Sequence, residues 1–125
     1  MLKKPITYID YDGNERTEDF YFNLTKAEIM EWEFSEVGGL KGKIERIIAS
    51  QSVPEIAALF KEIILKAYGV KDPSGKRFIK NKEVLEEFTQ SEAYSELYME
   101  LANDTKAANA FVEGVIPKVD VNASN

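Results

Sequence analysis

The chain begins with residues that alternate in polarity and only later turns to helical spacing. Ile6-Thr7-Tyr8-Ile9-Asp10-Tyr11 is rich in β-branched and aromatic residues. Glu15–Phe22 places Phe20 and Phe22 on one face, with Thr17, Asp19 and Tyr21 on the other. Asp12-Gly13-Asn14 between them is a turn signal, because Gly and Asn tolerate positive φ. The pattern predicts a β-hairpin over Pro5–Asn23 with one buried face and one wet face. A lone hairpin is marginal in water, so it must pack on helices or pair its edge with another chain.

From Thr25 onward the spacing is helical. Thr25-Lys26-Ala27-Glu28 is a capping box. It opens a helix to about Glu36, with Ala27, Met30, Phe34 and Val37 on one stripe and Ile29 and Trp32 widening it. Gly38-Gly39 stops it. A second helix, about Leu40 to Ser50, carries Leu40, Ile44, Ile47 and Ile48 at i, i+4, i+7 and i+8. Ser52 and Pro54 open a third, Val53–Tyr68, which Gly69 is expected to end as a left-handed cap. Ile56, Phe60, Ile63 and Ala67 line one face, and Leu59, Ile64 and Leu65 spread the apolar surface further. This most apolar helix is expected at the centre of the core.

Asp72-Pro73-Ser74-Gly75 reads as a turn, with Lys76–Ile79 as a short strand after it. Asn81 then caps Lys82–Thr89, Ser91 caps Glu92–Ala102, and Asp104 caps Thr105–Ile116. Tyr94, Leu97, Tyr98 and Leu101 form one stripe; Ala108, Phe111, Val112 and Val115 form another. Pro117 ends the last helix, and residues 118–125 read as a frayed tail. The expected fold is a single mainly α domain (α+β) over residues 1–117: an N-terminal β-hairpin followed by about six short helices.

Composition narrows the function. Of 125 residues, 16 are basic and 22 acidic, a net charge of −6, which argues against nucleic acid and anionic membranes as partners. Cysteine and histidine are both missing. Thiol chemistry, disulfides, the commonest zinc ligands and the commonest general base near pH 7 go with them. A non-enzymatic protein without cofactor or metal is expected. No secretory or membrane-spanning stretch stands out, so the protein is expected to be soluble and cytoplasmic.

The near-miss motifs have plainer readings. Asp10-x-Asp12-x-Asn14 opens like a calcium loop, but its glycine falls two places early, at Gly13, and Tyr21 stands where Glu is needed. Gly39-Leu40-Lys41-Gly42-Lys43-Ile44 and Gly69 to Gly75-Lys76 both miss phosphate-loop spacing. Glu86-Glu87, and Glu31 with Glu33, read as solvated helix faces. The basic run Lys71, Lys76, Arg77, Lys80 and Lys82 reads as a solvated loop or an acidic-partner contact. Tyr8, Tyr11, Tyr21, Tyr94, Tyr98 and Trp32 combine apolar area with a polar handle, which favours a protein-binding module.

The order of segments is similar to a known family. Tyr21-Phe22-Asn23-Leu24-Thr25-Lys26-Ala27-Glu28-Ile29-Met30-Glu31 follows the hairpin, and Phe60-Lys61-Glu62-Ile63-Ile64-Leu65-Lys66-Ala67-Tyr68-Gly69 comes next. Ser74–Lys80, Phe88-Thr89-Gln90-Ser91-Glu92-Ala93-Tyr94 and the Ala110-Phe111-Val112 helix ending at Ile116-Pro117 complete the series. From about Ile6 to Pro117 this resembles the tail assembly chaperones of long-tailed bacteriophages and prophages. The resemblance implies a protein that binds the tape measure protein, keeps it soluble and helps recruit tail tube subunits. It also implies a longer frameshifted form, residence in the host cytoplasm, and absence from the mature virion.

The resemblance carries no residue-level binding signature. Trp32, Tyr94, Leu97, Tyr98, Leu101, Phe111 and Val115 are the expected protein-binding residues, and the open hairpin edge invites a homo-oligomer. The rival readings are a permanent tail or connector subunit, a small acidic regulator of a basic site, and a hydrolase using carboxylates alone.

Overall fold

Two eight-residue strands, β1 (Leu2–Ile9) and β2 (Glu15–Phe22), pair in register from Leu2↔Phe22 to Ile9↔Glu15. The computed structural model describes residues 1–116. The first arm starts earlier than its β-branched run suggests, because Lys3 and Lys4 extend the alternation. It also stops short of Tyr11, because Asp10 builds the turn. Its carboxylate accepts the Asp12 and Asn14 N–H groups, each at 2.9 Å, and the Arg16 Nε at 2.6 Å. Gly13 takes φ 85° there.

Six helices follow: α1 (Lys26–Ser35), α2 (Gly39–Ser50), α3 (Val53–Ala67), α4 (Lys82–Thr89), α5 (Glu92–Asn103) and α6 (Thr105–Val115). Most of the expected caps form. The Thr25 hydroxyl accepts the Glu28 N–H while the Glu28 carboxylate accepts the Thr25 N–H. Asn81 accepts from Val84, and Asp104 from Lys106 and Ala107. Ser91 differs: its hydroxyl donates backward to the Phe88 carbonyl at 2.6 Å and leaves the start of α5 without a side-chain cap.

The sheet is larger than the hairpin. Gly69 does not end α3 in a left-handed cap. The helix runs directly into β3 (Tyr68–Lys71), which pairs with β2 through Tyr21↔Gly69 and Phe22↔Tyr68. After the Asp72–Gly75 turn, β4 (Phe78–Ile79) pairs back on β3. The result is a four-stranded antiparallel sheet in the order β1-β2-β3-β4. Gly69 is needed for close approach instead: a Cβ there would lie 2.5 Å from the Phe78 ring and 2.9 Å from the Ile79 carbonyl oxygen. Of the described residues 59% are helix and 19% strand, so α+β describes them, and mainly α understates the strands.

The core joins the apolar face of the hairpin to the helices. Phe22 is fully buried, with the Phe111 ring centroid at 5.1 Å and that of Phe88 at 5.8 Å. Tyr68 stacks on Phe88 at 4.2 Å. α3 supplies Leu59, Ile63, Ile64 and Ala67, as its composition requires.

On α1 the expected stripe is inverted. Ala27, Met30, Phe34 and Val37 face solvent, while Trp32 is buried and Ile29 partly so. Apolar residues run all round this helix, so spacing selects no face. Burying the largest side chain decides it, with the Trp32 Nε1 donating to Glu36 at 3.1 Å. Pro117 and the tail, residues 118–125, lie outside the described residues.

The open edge of β1 is protected. Proline has no N–H for the ladder, so Pro5 belongs where the strand's N–H groups point away from β2. Thr7 agrees: its hydroxyl meets that of Thr17 at 2.8 Å, the close side-chain approach of a non-hydrogen-bonded pair two residues on. The edge thus lacks one donor in mid-strand, and Lys3 is exposed beside it.

Candidate functional site: an apolar groove between helices

The feature best suited to partner binding is a groove between α2–α3 and α5–α6, about 420 Å³ in volume. Ser52 starts α3, its hydroxyl accepting the Glu55 N–H at 3.4 Å. Helical spacing from that point places Val53, Ile56 and Phe60 along the groove with Ile63 beneath. Ile44 and Ile48 of α2 form one wall, and Val112 of α6 stands on the opposite side.

Leu59, Ile63, Leu101 and Ala108 make the buried floor, from 1% to 4% exposed. Ala102 of α5 and Ala108 of α6 are small, which leaves space opposite α3. Val53 is 72% and Ile48 58% exposed, so the groove mouth shows apolar surface to water. Thr105, Asn109 and Glu113 give it a polar rim, and Glu113 is the one titratable residue in the lining. An apolar trough with a polar rim suits the apolar stripe of an amphipathic helix.

The expected binding residues are distributed differently. Trp32, Leu97, Leu101, Phe111 and Val115 are 4% exposed or less and close the protein's own core. Tyr94 and Tyr98 are half-buried, with the Tyr94 ring against Phe88 and Tyr98. Of the set, Leu101 alone reaches the groove, as part of its floor. The groove residues missed at the sequence level are Val53, Ile56, Phe60 and Ile48. The signal for the three on α3 was its excess of apolar positions, more than one buried face can use.

The basic run serves mostly internal partners. Lys80 Nζ donates to the Asn23 carbonyl at 2.7 Å, the Glu28 carboxylate at 2.7 Å and the Lys66 carbonyl at 2.8 Å. Those three contacts use all its donors and tie the end of β2, the start of α1 and the end of α3 together. Arg77 pairs with Asp72 at 2.9 Å, and Lys82 with Glu86 at 3.8 Å. Burial works to raise the Glu28 carboxyl pKa, but the Lys80 ammonium and the Thr25 N–H outweigh it and hold the pKa below the ordinary carboxylate range. Glu36 is likewise held low, by the Lys43 ammonium first and the Trp32 N–H second.

Among the described residues, no helix is long and apolar enough to cross a membrane. A family model described as a phage tail assembly chaperone matches residues 1–124. No curated protein and no solved structure matches the chain.

Proposed function

The chain belongs to the phage tail assembly chaperone family, and on that premise we propose that it binds the tape measure protein and keeps it soluble while the tail tube is built. The observation that carries this reading is the apolar groove between α2–α3 and α5–α6. A long helical protein with apolar stripes needs such a surface to cover it before its final partners arrive. The net charge of −6 keeps a carrier that exposes Ile48 and Val53 in solution.

The protein holds its partner and performs no bond-making step. Recruitment of tail tube subunits belongs to the same reading, through a longer frameshifted form of the chain. So do residence in the cytoplasm of the bacterial host and absence from the finished particle.

The test is co-expression with a tape measure protein of the same tail, with an affinity tag on the chain. The expected outcome is a higher soluble yield of the tape measure protein and its recovery on the tag. Absence of both the recovery and the solubility gain would overturn the reading. Mass spectrometry of purified particles separates a chaperone from a permanent tail subunit, since only the subunit stays.

A further inference from the structure

Helix α2 rests on α3 along a narrow line, with an apolar furrow on each side. One furrow is the groove described above. The other, about 580 Å³, has Ile47 of α2 and Ala58, Leu59 and Leu65 of α3 as its apolar floor, rimmed by Lys43, Glu55, Lys61, Glu62 and Lys66. Leu59 lines both, so α2 is the partition between them. The α1–α2 pair is lightly anchored: each helix buries one side chain, Trp32 or Leu40. Phe34 and Val37 of the same segment are 80% and 92% exposed.

Within itself the pair is firm. The Glu33 carboxylate accepts the Leu40 N–H at 2.8 Å, and Glu36 accepts from both Trp32 and Lys43. At the far joint stands Gln51, the one non-glycine among the described residues with positive φ, 55°. Charges hold the pair down. Lys43 Nζ reaches Glu62 of α3 at 3.0 Å, and Lys66 Nζ lies 5.0 Å from the Trp32 ring.

We propose that the α1–α2 pair is a latched flap, and that α2 sits in the seat of a partner helix on α3. The proposal rests on the reading that the protein holds apolar helices, and it adds how the seat is guarded. α2 itself displays the chemistry of the occupant: Leu40 is buried in the core, Ile44 and Ile47 pack against it beside α3, and Lys43 meets Glu62. A partner helix with apolar residues at i, i+4 and i+7 and a Lys or Arg at i+3 fits the same place. Its arrival displaces α2 and merges the two furrows into one face with an apolar floor and a charged rim along Glu55, Lys61, Glu62 and Lys66. The tethered α2 competes at high effective concentration, so the face stays covered until such a helix is present.

Trp32 is the single tryptophan, is 4% exposed, and lies on the flap, so it reports the opening directly. Lys43→Glu sets a third carboxylate beside Glu36 and Glu62. In this variant Trp32 emission is expected to shift to the red and acrylamide quenching to rise. Amide exchange over residues 26–50 is expected to quicken at least about tenfold, with β1, β2 and α5 as protected as before. A synthetic peptide of residues 38–51 is expected to bind the variant with a Kd at least about tenfold below that for the unmodified chain. The mass should change by the peptide alone, and Lys43→Glu with Glu62→Lys should reverse both effects.

Unchanged Trp32 emission with unchanged peptide affinity would overturn the proposal. So would loss of protection throughout the chain, which would make Lys43 a brace of the whole fold. Doubling of the mass would also overturn it, by assigning the seat to a second copy. None of these measurements uses the tape measure protein, so failure of the flap leaves the chaperone reading to its own test.

Discussion

Individual side chains divide into those whose role is local and those whose role depends on distant neighbours. Thr25, Asn81 and Asp104 cap helices through atoms two or three residues away, so their roles are legible in the sequence. Gly69 is not. A glycine after an apolar helix signals a left-handed cap, yet its real constraint is the Phe78 ring, nine residues on and across a turn. Gly69→Ala forces a methyl group into that contact and is expected to cost about 1–3 kcal/mol, measured by urea unfolding. Lys80 is equally non-local, since Asn23 and Glu28 lie more than fifty residues away. Lys80→Met leaves its three acceptors without their donor and is expected to cost about 1–3 kcal/mol at neutral pH.

The same contacts set the response to acid. Arg16 holds Asp10 low, Arg77 holds Asp72 low, Lys43 holds Glu36 low, and Lys80 with Thr25 holds Glu28 low against burial. Each carboxyl binds its proton less tightly in the folded chain than in the unfolded one. Their contribution is therefore fully present above the unfolded values, near pH 4 to 4.5, and is lost as pH falls through the lower folded values. The thermal midpoint is expected to drop between pH 5 and pH 3. Lys80→Met, which removes one of these couplings, is expected to show a smaller drop.

At the scale of elements, patterning identifies the hairpin, all the helices and, within Lys76–Ile79, the short strand β4, but not β3 or the joining of the strands into one sheet. β3 is four residues long, too short for a period to register, and follows α3 with no break, whereas β4 is announced by the turn before it. The existence of β3 depends on Tyr21 and Phe22 of β2 offering a free edge, which is a tertiary fact. The α1 stripe was illegible for a different reason, since its apolar residues select no face. The outer edge of β1 carries its own guard in Pro5. Pro5→Val restores the missing donor and is expected to promote association through strand pairing, seen as a rise in mass by light scattering.

For the molecule as a whole, Leu97, Leu101, Phe111 and Val115 of the expected binding stripe on α5 and α6 lie in the core, with Tyr94 and Tyr98 half-buried at its edge. Helical spacing reports which face is buried, and here the protein's own sheet and helices bury it. The candidate surface is what the core could not absorb: the outer apolar positions of α3, opposite Ala102 of α5 and Ala108 of α6. That surplus is visible in the sequence as a helix with too many apolar residues. Its location is not, because it depends on how α2 and α6 are placed.

The most direct test compares the chain with Val53→Glu/Ile56→Glu, which charges the groove without touching its buried floor. The measurement is the fraction of tape measure protein remaining in the supernatant on co-expression, with circular dichroism to establish that the variant is folded. The unmodified chain is expected to raise that fraction severalfold and the folded variant to leave it at the level seen without any chaperone. A folded variant that solubilises the tape measure protein as well as the unmodified chain does would contradict the groove as the binding surface.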